Sequence, residues 1–331
     1  APDDGSPAVF TGGDLTQSPE YKVYEAEVGL TRAKQALDAA TQAAKAELAA
    51  LATLANRVQF TQGGEVDALA PEQRKKTFDS YLTKAQASLG TVPPNVEAYR
   101  SYLSSALTVF NPTTEAQKRY YGPTVPGPES SDIVAKLRSL ITGSGYKGDA
   151  ATNPGSLFAL RGNVIEAQSK LDTLKNPAAQ AQLVQLKAAE ADKAQTEAAA
   201  LRDRYQAVRT ETLTQVATFE SSTRTQLTSL MAQYTNQPEV VKALGEALKL
   251  LAGAADACRV AEYGQSKQFL DKLKQTLKGV PGVDLKGIDA MAQRVGQTQQ
   301  AATLSWTATN KASRLAQEYE RMRAGYQKAM A

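Results

Sequence analysis

The sequence predicts an all-α protein: an elongated antiparallel bundle of long helices with an inserted lobe of short helices and Pro/Gly-rich loops. Three observations predict this fold class. Apolar residues recur at steps of three and four over long stretches, which is the period of one helix face. Turn-forming residues separate these stretches. Proline and aromatic residues concentrate between residues 62 and 156, and this sets that segment apart from the rest of the chain.

The N-terminal residues 1–18 are predicted to form a flexible acidic arm. The first twenty residues hold three aspartates and one glutamate without Lys or Arg, a net charge of −4, so the remainder of this +4 chain carries +8. An acidic arm of this kind can dock on a neighbour of net positive charge. The candidate assembly residues are Asp3, Asp4, Phe10 and Asp14.

The first long helix is predicted to begin at Pro19, because proline is favoured in a first helical turn. Its apolar positions repeat at steps of three and four and mark one packed face: Leu30, Ala33, Leu37, Ala40, Ala44, Leu48, Leu51, Ala55 and Val58. The glycines of the "TQGG" stretch at 61–64 are expected to end this helix.

Residues 62–156 are interpreted as a compact, aromatic-packed lobe inserted between the long helices. Short helices are predicted at 71–89, 95–110, 112–121 and 130–142, each begun or ended by Pro, Gly, Ser or Asp. The long-helix bundle is then formed by residues 19–61 and 157–331.

The long helices resume at about residue 156. One is predicted to run to Lys175, and "NP" at 176–177 allows a break before the next, which runs to about Tyr234. From Leu201 the inward positions repeat as 4-3-4, an eleven-residue period that favours nearly straight or slightly right-handed packing. These positions are 201, 205, 208, 212, 216, 219, 223, 227, 230 and 234. A helix of this length measures roughly 85 Å.

Two more long helices are predicted after the break "NQP" at 236–238. One runs from about Glu239 to Lys278, and the other, after the turn "GVPG" at 279–282, covers roughly 285–330. Long segments joined by short turns favour antiparallel neighbours, and hence a bundle.

Residue counts exclude several classes of chemistry. The chain has no histidine and one cysteine, Cys258. Histidine-based triads, His/Cys zinc sites, c-type haem attachment and cysteine-ligated clusters are therefore excluded, as is a disulfide framework. We predict no cofactor and no metal. No run of about 18 apolar residues predicts a transmembrane segment.

Two motif matches point weakly to catalysis. "GSGYKG" at 143–148 fits G-x-G-x-x-G, but a dinucleotide site needs a preceding strand and a following helix, and the sequence predicts neither. Ser144 and Lys147 fit S-x-x-K, yet neighbouring glycines disfavour the helix that this spacing requires. Cys258 is interpreted as a half-buried helix residue, since its usual histidine partner is absent. We therefore predict that the protein is not an enzyme.

The C-terminal stretch 311–331 is basic and contains tyrosines, as in helices that touch phosphate or lipid. Its apolar residues Leu315, Tyr319, Met322 and Tyr326 nevertheless follow the 4-3-4 spacing of an inward face, which favours core packing. Nucleic acid is therefore not a predicted partner. A pore-forming bundle is disfavoured, because no strongly apolar hairpin is visible.

The predicted binding surface is the "YYGPTVPGPES" stretch at 120–130. Adjacent tyrosines and pre-ordered prolines form a contact surface with little entropy to lose. The candidate partner-binding residues are Tyr120, Tyr121, Pro123, Pro126, Pro128 and Tyr146. The alternative is a lid that closes the end of the bundle, with the tyrosines against Phe110 or Phe158.

The leading functional hypothesis is a non-catalytic exported interaction protein, at the cell surface or in the periplasm, with a helical stalk and a loop-rich head. The alternative is a self-assembling structural subunit of a filament, surface layer or virion. The opening "APDDGSPAVF" is consistent with removal of a signal peptide, and the absence of an N-x-[ST] acceptor favours a bacterial envelope. The expected partner is a protein or a second copy, and peripheral attachment to the membrane or cell envelope stays open.

Overall fold

The computed structural model describes residues 15–60, 69–146 and 153–331. Over these ranges the secondary structure is helical, without strands, and the prediction of an all-α fold is confirmed. A short 3₁₀ turn covers Leu15–Gln17. The α-helices are α1 (Pro19–Ala55), α2 (Pro71–Leu89), α3 (Val96–Phe110), α4 (Glu115–Tyr121), α5 (Ser130–Ser144), α6 (Leu157–Lys175), α7 (Pro177–Gln233), α8 (Pro238–Arg259), α9 (Tyr263–Leu277) and α10 (Leu285–Met330).

Local sequence explains where most of these helices begin. Side-chain oxygens accept backbone N–H bonds in the first turns of α1, α3, α4, α6, α7 and α10, as N-cap residues do. Proline occupies the first position of α1, α2, α7 and α8, where its missing N–H is not needed. At the start of α4, Thr114 and Gln117 form a reciprocal capping box.

The two longest helices, α7 and α10, lie antiparallel along much of their length. The cross-contacts are Lys187 with Glu318 at 3.1 Å near one end, Thr212 Oγ1 with Thr298 Oγ1 at 2.8 Å in the middle, and Gln226 with the Gly282 carbonyl near the other end. With 57 residues, α7 is ~85 Å long. This antiparallel pair is the longest part of the elongated bundle.

The eleven-residue rhythm of α7 is confirmed. Each of the ten predicted inward positions between Leu201 and Tyr234 is buried or half-buried, while most intervening residues are exposed. Val216, Leu227 and Leu230 contribute to a core that α7 shares with α8, α9 and the N-terminal half of α10.

The prediction of a single helix over 239–278 is wrong. The chain reverses direction after Arg259, and α8 and α9 lie antiparallel, with Ser266 Oγ donating to the Ala254 carbonyl at 2.7 Å. The reversal depends on Ala261, which adopts a left-handed conformation with φ 65°. No glycine or proline marks this turn, so the local sequence gives no signal for it.

One further expectation differs from the structure. Helix α1 ends at Ala55, before the glycines expected to end it; Gly63 and Gly64 lie outside the described residues. Helix α6, which shares no short turn with α10, runs parallel to it, with Arg161 beside Gln317 and Glu166 beside Lys328. A parallel pair arises here because α6 and α10 both run opposite to α7.

The short helices α2–α5 form the lobe, with bounds close to those predicted. Their shared core includes three phenylalanine rings, Phe60, Phe78 and Phe110, with centroids 5.5–5.7 Å apart. The C-terminal half of α1 also contributes to this core. Buried Arg74 donates to the carbonyls of Val109, at the end of α3, and of Pro123. These bonds tie the proline-rich loop to the helices.

Candidate functional site

A concave surface of about 760 Å³ lies where the lobe meets the bundle. Helices α2 and α3 form one wall. The opposite wall consists of α7, α10, the turn between α8 and α9, and the N-terminal part of α9. We call this surface the junction cleft. Its volume lies in the range of ligand-binding pockets.

One face of α2 lines the cleft. Gln73, Thr77, Tyr81 and Lys84 follow at steps of four, four and three, so they lie along one helical stripe. The other side of α2 buries Phe78, Leu82, Ala85 and Leu89 in the lobe core. Burial of this apolar face therefore fixes the direction in which the polar and aromatic stripe points.

An aromatic row crosses the cleft from the lobe to the bundle. The ring of Tyr102 lies between Tyr81, at 6.5 Å, and Trp306, at 5.4 Å between centroids. All three rings are half-buried. The Trp306 indole N–H donates to Ser101 Oγ at 2.9 Å, which fixes the orientation of the indole on α10 relative to α3. The row therefore has a defined geometry.

The floor of the cleft is built around Glu262, in the turn between α8 and α9. Its Oε1 accepts hydrogen bonds from the hydroxyls of Tyr81 at 2.7 Å and Tyr121 at 2.6 Å. Burial, reinforced by the neighbouring Glu262 carboxylate, raises the pKa of both tyrosines far above the ordinary value. The two phenols therefore stay protonated and act as hydrogen-bond donors.

Gln265 makes a second connection between the walls. Its Nε2 donates to Thr77 Oγ1 at 2.8 Å, and its Oε1 accepts from the hydroxyl of Tyr120. The first turn of α9 is thereby bound to both α2 and α4. Together with Glu262, this residue holds the lobe in a fixed position against the bundle.

A third polar cluster supports the turn from the α7 side. The hydroxyls of Tyr205 and Tyr263 lie 2.8 Å apart, and Arg209 donates to Tyr263 and to the Arg259 carbonyl. Nearby, the Asp256 carboxylate is bound by Arg119 at 2.9 Å and by Arg259 at 2.7 Å. Burial raises the pKa of Asp256, although both guanidinium groups oppose this shift.

Tyr120 and Tyr121 do not form an exposed contact surface. Their side chains are buried, at 0% and 3% exposure, and their rings contact each other with centroids 4.9 Å apart. Their hydroxyls point to the α8–α9 turn and α9, as described above. The expectation of an exposed tyrosine pair is therefore wrong, because α4 packs against α8 and turns this face inward.

The other predicted site residues are placed differently. Pro123, Pro126 and Pro128 are exposed on the loop after α4. Tyr146 is half-buried beside Phe158, with 6.0 Å between ring centroids. The structure does not bring this tyrosine into the junction cleft. Asp3, Asp4, Phe10 and Asp14 lie outside the described residues.

Sequence reasoning missed the residues that line the cleft. The 73–77–81–84 stripe is a readable signal, since amphipathic spacing places a lysine and a tyrosine on the side opposite the core. Glu262, Gln265 and Trp306 give no such signal, because they meet α2 and α3 only through tertiary packing. Cys258, predicted to be half-buried, is completely buried, and burial raises its pKa to about 11.

No group of three or more Cys, Asp or Glu side chains in the described ranges is arranged to hold a metal ion. Among the helices that the structure describes, none combines the length and the apolar character needed to cross a bilayer.

Comparison with known proteins gives no match: no family model matches the chain, and no curated protein and no solved structure matches it significantly.

Proposed function

We propose that this chain is a non-catalytic binding protein in which the long helices form a stalk, the lobe forms the head, and the junction cleft holds the ligand. The observation that carries the proposal is the row of Tyr81, Tyr102 and Trp306 across a cleft of about 760 Å³. Half-exposed aromatic rings in a concave, pre-formed site are typical of binding surfaces.

The arrangement of Glu262 favours binding over turnover. Within the described lining residues, it is the one carboxylate of the cleft. Two tyrosine hydroxyls already engage its Oε1, so the group is restrained as a structural acceptor. A general acid or base must approach the reacting group of the substrate, and the two hydroxyl contacts hold this carboxylate in place.

The proposed location is the cell surface or the periplasm, after export and removal of a signal peptide. A bacterial envelope is the setting that the sequence favours. A stalk of ~85 Å suits this role because it can hold the cleft away from an attachment point.

The test compares three proteins for retention on bacterial cell-envelope material. Thr303 is exposed at the cleft on α10, so Thr303→Trp fills the opening while Thr303→Ser leaves it open. We expect the unmodified protein and Thr303→Ser to be retained, and Thr303→Trp to lose at least about tenfold in affinity. Equal retention of all three proteins contradicts the proposed function.

A self-assembling structural subunit is the second candidate. Leu183 and Leu186 on α7 are 50% and 67% exposed, and such residues favour contact with another chain when they are close together. Light scattering after size-exclusion chromatography tests this candidate. Growth into large species with concentration favours assembly, whereas an early-eluting monomer of 35.3 kDa favours the binding protein.

A further inference from the structure

The junction cleft continues into a second depression along α9. This adjoining groove has a volume of about 370 Å³ and lies between α2, α8 and α9. The two concave surfaces share Gln73, Lys76, Gln265 and Gln268. They therefore form one continuous channel on the surface, which we call the extended groove.

The length of the extended groove suits a chain rather than a single small molecule. Along α9 it reaches from Glu262, beside the first turn, to Lys272. Ten helical residues correspond to ~15 Å, and the aromatic row extends the surface further toward α10. A linear ligand with several repeating units fits this shape.

The charge of the extended groove favours an anionic ligand. Four lysines line it: Lys76, Lys84, Lys249 and Lys272. All four are exposed, and none makes an ion pair with another described residue. The lining carboxylates are those of Glu72 and Glu262, and the second is already engaged by two tyrosine hydroxyls. Ammonium groups are compact point charges that suit carboxylate or sulfate oxygens.

The neutral part of the groove matches the two sides of a sugar ring. A pyranose has an apolar C–H face and a rim of hydroxyls. The half-exposed rings of Tyr102 and Trp306 offer surfaces for the C–H face, with the Lys84 ammonium 5.9 Å from the Tyr102 centroid. Gln268 and Gln299 are exposed and carry both a donor and an acceptor, as a hydroxyl rim requires.

Other polymers fit these features less well. A peptide that adds a strand needs an exposed sheet edge, and the described chain is helical. Single-stranded nucleic acid needs separated rings on which successive bases stack. Here the rings of Tyr81, Tyr102 and Trp306 adjoin one another in a single row, with centroids 6.5 Å and 5.4 Å apart, and they do not form separate platforms for successive bases.

We infer that the extended groove binds a linear acidic polysaccharide, with sugar rings against Tyr102 and Trp306 and anionic groups against Lys76, Lys84, Lys249 and Lys272. This inference rests on the proposed function and names the class of its ligand. The anionic group is a carboxylate or a sulfate, which the same ammonium groups would bind.

The test uses the single tryptophan of the chain as a probe at the site. Trp306 fluorescence, checked by titration calorimetry, is followed while oligogalacturonate or a heparin-derived oligosaccharide is added to the intact chain. We expect saturable binding of at least one of these probes, weakening as salt increases. The probe that binds identifies the anionic group.

Matched variants separate the groove from general positive charge. Lys76→Ala/Lys84→Ala should weaken binding at least tenfold, while Lys34→Ala/Lys193→Ala, which removes two exposed lysines outside the groove, should leave affinity within twofold. Unchanged melting temperatures establish that each variant is folded. Equal weakening by both double variants overturns the inference.

Neutral saccharides and polymers other than saccharides test whether the groove selects acidic polysaccharides. No binding of either acidic oligosaccharide, equal affinity for neutral cello-oligosaccharides, or tighter binding of oligothymidylate or polyglutamate overturns the inference. If such a result accompanies loss of envelope retention in Thr303→Trp, the ligand class is wrong and the proposed function stands. If Thr303→Trp is retained normally, the proposed function itself fails.

Discussion

Arg161 on α6 forms a buried, bidentate ion pair with Glu97 on α3, with N–O distances of 2.7 Å and 2.6 Å. The two side chains are 1% and 0% exposed. Gln317 of α10 accepts from the same guanidinium at 2.9 Å and 2.7 Å. This cluster is a second connection between the lobe and the bundle, in addition to the contacts that Glu262 and Gln265 make in the junction cleft.

Removing one partner of this pair should be strongly destabilising. We expect Glu97→Ala to lower the free energy of unfolding by about 3–5 kcal/mol, because it leaves the Arg161 charge buried without its counter-ion. Urea denaturation measures this change. Glu97→Met/Arg161→Met should cost less than Glu97→Ala alone, since no charge is then left buried.

The exposed pair of Lys175 and Glu27 is the control. Both side chains are 52% exposed, and we expect Lys175→Ala to cost less than about 1 kcal/mol. A Glu97→Ala effect as small as the Lys175→Ala effect would contradict the account of a lobe fixed to the bundle through this pair.

The close approach of α6 and α10 depends on Gly325. A Cβ at this position would overlap the Glu166 carbonyl oxygen and lie 2.8 Å from Ser169 Cβ. We expect Gly325→Ala to destabilise the protein by about 1–3 kcal/mol, because backbone atoms would have to move. Gly245 in α8 has no atom within 4 Å of such a Cβ, so Gly245→Ala should stabilise by about 1 kcal/mol. Thermal unfolding of the two variants should therefore shift in opposite directions.

The burial of Tyr121 gives a direct test of its role. We expect Tyr121→Ser to destabilise by about 3–5 kcal/mol through loss of a buried ring. Tyr121→Phe, which loses the hydrogen bond to Glu262, should cost about 1.5–3 kcal/mol. The control is Tyr24→Ser, at a position 62% exposed, with little expected change. An unchanged melting temperature in Tyr121→Ser would restore the surface-contact interpretation.

High pH should destabilise the protein because its buried tyrosines must then ionise. The pKa values of Tyr81, Tyr120 and Tyr121 are raised by burial above the unfolded value of about 10. The neutral phenols therefore contribute stability that is complete below pH ~10 and is lost as pH rises further. Urea denaturation between pH ~9 and ~11 should show this loss, and the loss should be smaller in Tyr121→Phe. An identical pH dependence in that variant would contradict the assignment.

The left-handed backbone of Ala261 stores strain at the floor of the cleft. Glycine adopts φ 65° without the Cβ penalty, so we expect Ala261→Gly to stabilise by about 0.5–1 kcal/mol despite its greater unfolded entropy. Ala200→Gly, in an exposed helical position of α7, should instead destabilise by about 1 kcal/mol. Chemical denaturation of both variants decides whether the sign differs. Destabilisation by Ala261→Gly would show that the strain assignment is wrong.

The sequence allowed prediction of most helix bounds but not of their tertiary partners. The rhythm from Leu201 to Tyr234 is a local property, and every predicted position is buried or half-buried as expected. The break at Ala261 was missed because a non-glycine residue adopts the left-handed conformation there. Tyr121 is buried where its hydroxyl meets Glu262, which is 141 residues away in the sequence. No local sequence pattern indicates this contact.

The cleft was missed for the same reason. The stripe of α2 from Gln73 to Lys84 is periodic, but its counterparts Glu262, Gln265 and Trp306 reach it only when α9 and α10 pack beside the lobe. Aromatic enrichment between 62 and 156 predicts core packing, whereas Tyr81 and Tyr102 lie at the boundary between core and solvent.

Amide hydrogen exchange, measured with and without bound cell-envelope material, tests most directly whether the junction cleft is the binding site. We expect protection to concentrate in residues 73–84 of α2 and residues 261–268 at the start of α9, on the two sides of the cleft. Thr303→Trp should remove that protection, and Thr303→Ser should keep it. Protection confined to other surfaces, such as the exposed leucines of α7, or the absence of retention in the unmodified protein, would contradict the account.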